Sequence, residues 1–163
     1  MIMGRFQLVT LFGLALLGAP LGAQQYDGPV PPKADVPYLL HADSLVEMEK
    51  SEARQEQRKK ETAYVVTGAA SPARTPLAEP IFILLSESLE PKRLKLYSMN
   101  VVNGSRETAF PLKASKDTPR PRHLTYKKLD ENLYWVETNE YLDNGEYCLT
   151  PDGSNDVFCF QIY

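Results

Sequence analysis

Through most of the second half of this chain, apolar and polar positions follow the short period of strands, and the breaks between runs fall on turn-forming residues. Tyr38-Leu39-Leu40 and Thr62–Thr67 are short runs rich in β-formers, and Ile81-Phe82-Ile83-Leu84-Leu85 is a continuous apolar run of strand length. The latter predicts a central strand covered on both faces. Leu94–Val102 and Arg106–Phe110 flank Asn103-Gly104, a dipeptide that suits the hairpin turn in which both central residues need positive φ. Leu124–Leu129 and Leu133–Thr138 flank Asp130-Glu131-Asn132, and Tyr147–Thr150 and Val157–Tyr163 flank a polar turn. About eight short strands with turn signals between them predict an antiparallel β-sandwich or small barrel.

The N-terminal third reads differently. Asp43-Ser44 followed by Glu47 resembles a Ser-x-x-Glu helix start. From Leu45 to Glu61 the acids Glu47, Glu49, Glu52 and Glu56 come early and Arg58, Lys59 and Lys60 come late, an order that suits a helix dipole. A polar helix over 45–61 is the expectation; because apolar positions stop at Ala53, a long solvent-facing hairpin competes with it. Gln24–Pro37 holds Pro29, Pro31, Pro32, Pro37 and Gly28, and is expected to be an extended or disordered leader. Residues 38–163 are then one domain, with proline-bearing loops at 68–80 and 111–122.

Met1–Ala23 changes the picture most. Arg5 gives a short positive start, Phe6–Gly18 is apolar apart from Gln7 and Thr10, and Ala19-Pro20-Leu21-Gly22-Ala23 supplies small residues for a peptidase. It reads as a secretory signal cleaved before Gln24. The run is shorter than the ~20 apolar residues that span a bilayer, and no cysteine follows it to carry a lipid. Removing 23 of 163 residues leaves 140, the size of one ordinary domain. Hydrophobic residues at 43% and charged ones at 24% suffice for a real core, while 13 prolines favour a loop-rich, all-β chain. The net charge is −3, and loss of Arg5 with the signal takes it to −4. That balance disfavours nucleic acid or an anionic membrane as the partner.

Cys148 and Cys159 are the only two cysteines. Folding the chain about Gly153-Ser154 as a two-residue turn sets Cys148 opposite Cys159, Leu149 opposite Phe158 and Tyr147 opposite Phe160. One face becomes apolar and the cysteines share the other. In that register they form a hydrogen-bonded pair with Cα atoms about 5.5 Å apart, near the usual disulfide span. A disulfide and a pair of buried thiols are both open, and either is structural, since no CxxC motif or neighbouring histidine is present.

Leu142-Asp143-Asn144-Gly145-Glu146-Tyr147 resembles the Leu-x-x-Gly-x-Tyr tyrosine corner of immunoglobulin-like β-sandwiches. The resemblance implies that Leu142 and Gly145 shape the corner, and that the Tyr147 hydroxyl bonds back to upstream backbone as the chain enters its penultimate strand. It rests on six residues and lacks the cross-sheet Cys and Trp of true immunoglobulin domains. It implies a sandwich and no function.

Catalytic chemistry is thinly supplied. His41 and His123 are the only histidines, both beside loops, and no serine sits in a Gly-x-Ser-x-Gly elbow. Zinc-type ligand spacing and phosphate-binding glycine loops are absent from the sequence. Asp152-Gly153-Ser154-Asn155-Asp156 opens like a calcium loop but lacks the glycine and glutamate such loops need, and Glu140, Asp143 and Glu146 cluster in sequence where turns favour acids anyway. Glu137 with Glu140, or Asp130 with Glu131, could serve as paired carboxylates, though nothing singles out either pair. Tyr134-Trp135 could offer a binding platform, but adjacent strand residues face opposite ways. Asn103-Gly104-Ser105 fits a glycosylation acceptor and is equally explained as a hairpin turn.

The expectation is therefore an exported, secreted or periplasmic, non-catalytic module of a bacterial envelope or medium. It needs no cofactor or metal, and binds an unknown protein or glycan, or takes part in assembly. A structural subunit adding its leader to a neighbour's sheet is the alternative, with a small secreted hydrolase behind it.

Overall fold

The computed structural model describes residues 26–163, and the signal peptide expected over Met1–Ala23 lies outside them. Among the described residues thirteen strands run in chain order: β1 Pro37–His41, β2 Ser44–Glu47, β3 Glu49–Glu52, β4 Arg54–Gln57, β5 Glu61–Thr67, β6 Arg74–Thr75, β7 Ile81–Leu85, β8 Leu94–Val102, β9 Ser105–Pro111, β10 Leu124–Lys128, β11 Leu133–Thr138, β12 Gly145–Pro151 and β13 Asp156–Ile162. Among the described residues the only helical element is a 3-10 turn at Pro91–Arg93, and no helix is long and apolar enough to cross a membrane. The fold is an antiparallel all-β sandwich.

One sheet has the order β10-β11-β7-β1-β2. Its middle strand is the continuous apolar run, and Phe82, Ile83 and Leu84 are each fully buried. The other sheet has the order β3-β13-β12-β8-β9-β5-β4, with β6 lying parallel beside the end of β13. Leu39, Phe82 and Val136 of the first sheet meet Leu96, Leu149, Phe158 and Phe160 of the second in the main core. The rings of Phe82 and Phe160 cross edge to face at 5.3 Å. Burying each such side chain stabilises the fold by roughly 1.5–3 kcal/mol.

Residues 45–61 are neither a helix nor a single hairpin, which corrects the sequence-based expectation. They form β2, β3 and β4, pairing in turn with β1, β13 and β5 before the chain turns into β5. The cause is a two-residue period hidden inside a helix-favouring composition: Glu49, Ser51, Ala53 and Gln55 share one face, while Lys50, Glu52, Arg54 and Glu56 share the other. Ala53 is buried and Arg54 exposed. A helix would have had no apolar stripe to bury, whereas a strand at a sheet edge pairs its backbone along one side and needs only its alternate residues covered.

This segment also rolls the larger sheet up. Only Ala53 separates β3 from β4, and the two pair with opposite ends of the same sheet. The Ala53 amide donates to Asn155 O at 2.8 Å, so the link stays pinned to the β13 side. With β3 and β4 taken as one strand, the sheet closes into a barrel of antiparallel ladders. β8, β12 and β13 therefore serve two cores: Leu96, Tyr147, Leu149, Phe158 and Phe160 face the five-stranded sheet, and Cys148, Cys159 and Val157 face the barrel interior.

The leader is docked where the structure describes it. The Asp35 amide donates to Leu85 O at 2.8 Å, and the Asp35 carboxylate accepts from the amides of Glu87, Ser88 and Leu89 and from the Ser88 hydroxyl. Lys33 reaches Glu47 at 2.7 Å, and Glu47 also accepts from the Tyr38 hydroxyl at 3.0 Å. Residues 33–36 are thus part of the domain rather than a free tail.

Candidate functional site

Because side chains alternate on strands, the barrel interior can be read in layers. Along β9, Arg106, Thr108 and Phe110 point inward in succession; along β12 the same sequence is Glu146, Cys148 and Thr150. β5 contributes Val66, Tyr64 and Thr62, β8 contributes Met99, Tyr97 and Lys95, and β3–β4 contributes Glu49, Ser51, Ala53 and Gln55. One end is closed by charge, the middle is apolar, and the other end is open.

The closed end is built on Arg106, which has no solvent exposure. Its guanidinium donates to Glu49 at 2.6 and 2.9 Å and to the carbonyls of Gly68 and Thr67, both at 2.9 Å. Burial works against ionisation of Glu49, but the bonds from Arg106 outweigh it and hold that carboxyl below its usual range. Glu146 stands 3.7 Å from Arg106, accepts from the Ser71 amide at 3.0 Å, and leaves its Oε1 buried without a partner. Burial pushes its carboxyl above the usual range, against the pull of Ser71 and Arg106.

The middle layer carries the disulfide. Cys148 and Cys159 are bonded, directly opposite each other in the β12–β13 ladder, with Leu149 opposite Phe158 and Tyr147 opposite Phe160. Their Cα atoms are 4.0 Å apart rather than about 5.5 Å, close to the spacing of a non-hydrogen-bonded pair. The difference traces to the turn. Asp152–Asn155 forms a four-residue connection, with Gly153 at φ 80°, in place of a two-residue one.

The open end is a cavity of about 700 Å3. Ala53, Met99, Cys148 and Val157 line it deep down, Tyr64, Tyr97 and Phe110 form its walls, and Gln55, Lys95, Leu112, Asp152 and Asn155 lie toward the rim. It exists because β9 peels away from β8. The two strands pair only from Asn100 to Val102, and beyond that Leu96 accepts instead from the amide of Arg122 at 2.8 Å. Phe110 fills the widened gap edge-on, 5.6 Å from Tyr97 and 5.8 Å from Tyr64. Two threonine hydroxyls inside are already engaged: Thr108 donates to Ser98 O at 2.8 Å, and Thr150 to Asp156 O at 2.9 Å.

Other residues singled out from the sequence are scattered. The Tyr147 hydroxyl donates to Asp143 O at 2.8 Å, the upstream bond that a tyrosine corner makes, and Leu142 is buried in the main core. His123 is exposed, and His41, at the end of β1, leaves a buried Nε2 without a partner. Glu140 accepts from the His123 amide, Glu146 turns to Arg106, and Asp143 uses its carbonyl, so these acids do not share a site. Glu137 accepts from Trp135 Nε1 at 2.7 Å, and Asp130 accepts from the Glu131 amide. Trp135 points away from the core while Tyr134 shares the face of Val136, so they form no joint platform. Asp152 is taken by Lys95 at 2.7 Å. Among the described residues no group of three or more His, Cys, Asp or Glu is gathered to hold a metal ion.

Tyr64, Tyr97, Met99, Phe110, Glu49 and Arg106 were not marked by sequence reading. The signal for three of them was present: an Asn103-Gly104 turn sets Met99 level with Thr108 and Tyr97 level with Phe110 on one face. Comparison with protein-family models, with characterised proteins and with solved structures finds no match for this chain.

Proposed function

We propose that this is an exported, non-catalytic binding module whose ligand enters the open end of the rolled sheet. The observation that carries this reading is the cavity itself: about 700 Å3, walled by Tyr64, Tyr97 and Phe110, and within the range of about 300–1,000 Å3 typical of small-molecule sites. The disulfide supports an oxidising compartment, in keeping with export by the signal segment. Neither histidine has a nucleophile or carboxylate bonded to its ring among the described residues, which favours binding over hydrolysis. Docking of Asp35 and Lys33 onto their own domain speaks against donation of that part of the leader to a neighbour.

Backbone NMR against a panel of small apolar compounds, oligosaccharides and peptides tests this. The expected result is shifts confined to Tyr64, Tyr97, Met99, Phe110 and Thr150. Perturbations only around Trp135, or ester hydrolysis lost on His41→Ala or His123→Ala, would overturn it.

A further inference from the structure

Resting on that reading, we infer that the cavity takes a free, single-chain amphipathic anion, with an apolar body in the aromatic interior and one anionic head at the rim. The interior favours an apolar body. Its walls are Tyr64, Tyr97, Phe110, Met99 and Val157, and the hydroxyls of Thr108 and Thr150 are spent on backbone carbonyls. A sugar needs several donors and acceptors along its length, and these walls could offer it only the Tyr64 and Tyr97 hydroxyls. The rings meet one another edge to face rather than offering one flat stacking surface.

The rim favours an anion. Lys95 lies in the cavity lining. Arg93 donates to Asp152 O at 2.7 Å, so its guanidinium sits at the same lip. On the far side, Leu112 lines the cavity and its amide donates to Lys60 O at 2.9 Å, which brings exposed Lys60 and Lys113 beside it. Asp152 is the one carboxylate in the lining, already paired with Lys95 at 2.7 Å. Of the acids next to the lining, Glu61 is paired with Arg58 and Asp156 stands exposed beside Asn155, so four cations, Lys95, Arg93, Lys60 and Lys113, face three carboxylates of which two are already paired. The Lys95 ammonium has three donor hydrogens and Asp152 as its one partner, so an incoming carboxylate or sulfate adds a second acceptor without displacing the first.

The test uses the disulfide-bonded protein from Gln24 onward, the form left by the expected cleavage, and titration calorimetry with three ten-carbon probes: decanoate, 1-decanol and decyltrimethylammonium. Decanoate is expected to bind about fivefold more tightly than 1-decanol, with the cation weakest, since an ion pair at an exposed rim is worth no more than about that factor. Lys95→Met should remove that advantage without altering 1-decanol binding, Lys95→Arg should keep it, and Phe110→Ala should weaken both. Equal binding of decanoate and 1-decanol would overturn the anionic head while leaving the cavity as the binding site. Absence of binding by all three probes would overturn the cavity reading as well. Capture by phosphatidylglycerol vesicles with no binding of decanoate would overturn the free ligand in favour of a membrane surface.

Discussion

Arg106 on β9 and Glu49 on β3, 57 residues apart, form a two-pronged ion pair of 2.6 and 2.9 Å that closes one end of the rolled sheet. Removing one member of a buried pair leaves the other charge without its partner in a low-dielectric site, which costs about 3–5 kcal/mol. Arg106→Met is therefore expected to destabilise the protein by that amount in urea unfolding. The double variant Arg106→Met/Glu49→Leu should recover much of the loss, and equal destabilisation by single and double variants would show that the pair is not the cause.

Glu146 gives the same end of the barrel a pH dependence. Its folded pKa is raised chiefly by burial, so the stability tied to its protonated form is complete below its unfolded value and lost as pH rises through the folded one. Glu146→Gln keeps an acceptor for the Ser71 amide and cannot ionise. Its stability relative to the parent should improve as pH rises from the ordinary glutamate range through the raised folded value and level off above it, and a difference that stays flat throughout would contradict the assignment.

Asp35 has the opposite sign. Burial alone would raise its pKa, but hydrogen bonds from the Ser88 hydroxyl and from the Leu89, Ser88 and Glu87 amides bring it down to about 2. The stability it contributes is present above the ordinary aspartate range and is lost as pH falls toward 2. Asp35→Asn, which tolerates the local φ of 59°, should cost about 1 kcal/mol at pH 6 after allowing for solvent screening. Parent and variant should converge near pH 2. Chemical denaturation at a series of pH values reads both.

The disulfide closes a short loop, with a sequence separation of 11. Cys148→Ala/Cys159→Ala should lower stability by about 3 kcal/mol, chiefly by freeing the unfolded chain. A loss under 1 kcal/mol would mean that packing beneath the cavity, not the covalent link, holds β12 to β13.

Much of the fold was legible in the sequence where one local rule dominated. Ile81–Leu85 and Leu133–Thr138 have the bounds the pattern predicts. Asn103 and Gly104 take φ values of 50° and 77°, which is why that hairpin register could be read directly. The 45–61 stretch was not legible because helix-forming residues there obey strand pairing set by β13 and β5, partners distant in sequence. The cavity was hidden for a related reason: it depends on β9 leaving β8 beyond Asn100, a long-range accommodation that no residue of either strand signals.

Methionine-methyl NMR tests the central claim most directly, because Met99 lines the cavity while Met48 is buried in the main core. Each signal can be assigned by its Met→Leu variant and followed during titration with decanoate. The account predicts a saturable shift of the Met99 methyl with Met48 unmoved. An unmoved Met99, or equal shifts of both, would contradict a ligand site at the open end of the rolled sheet.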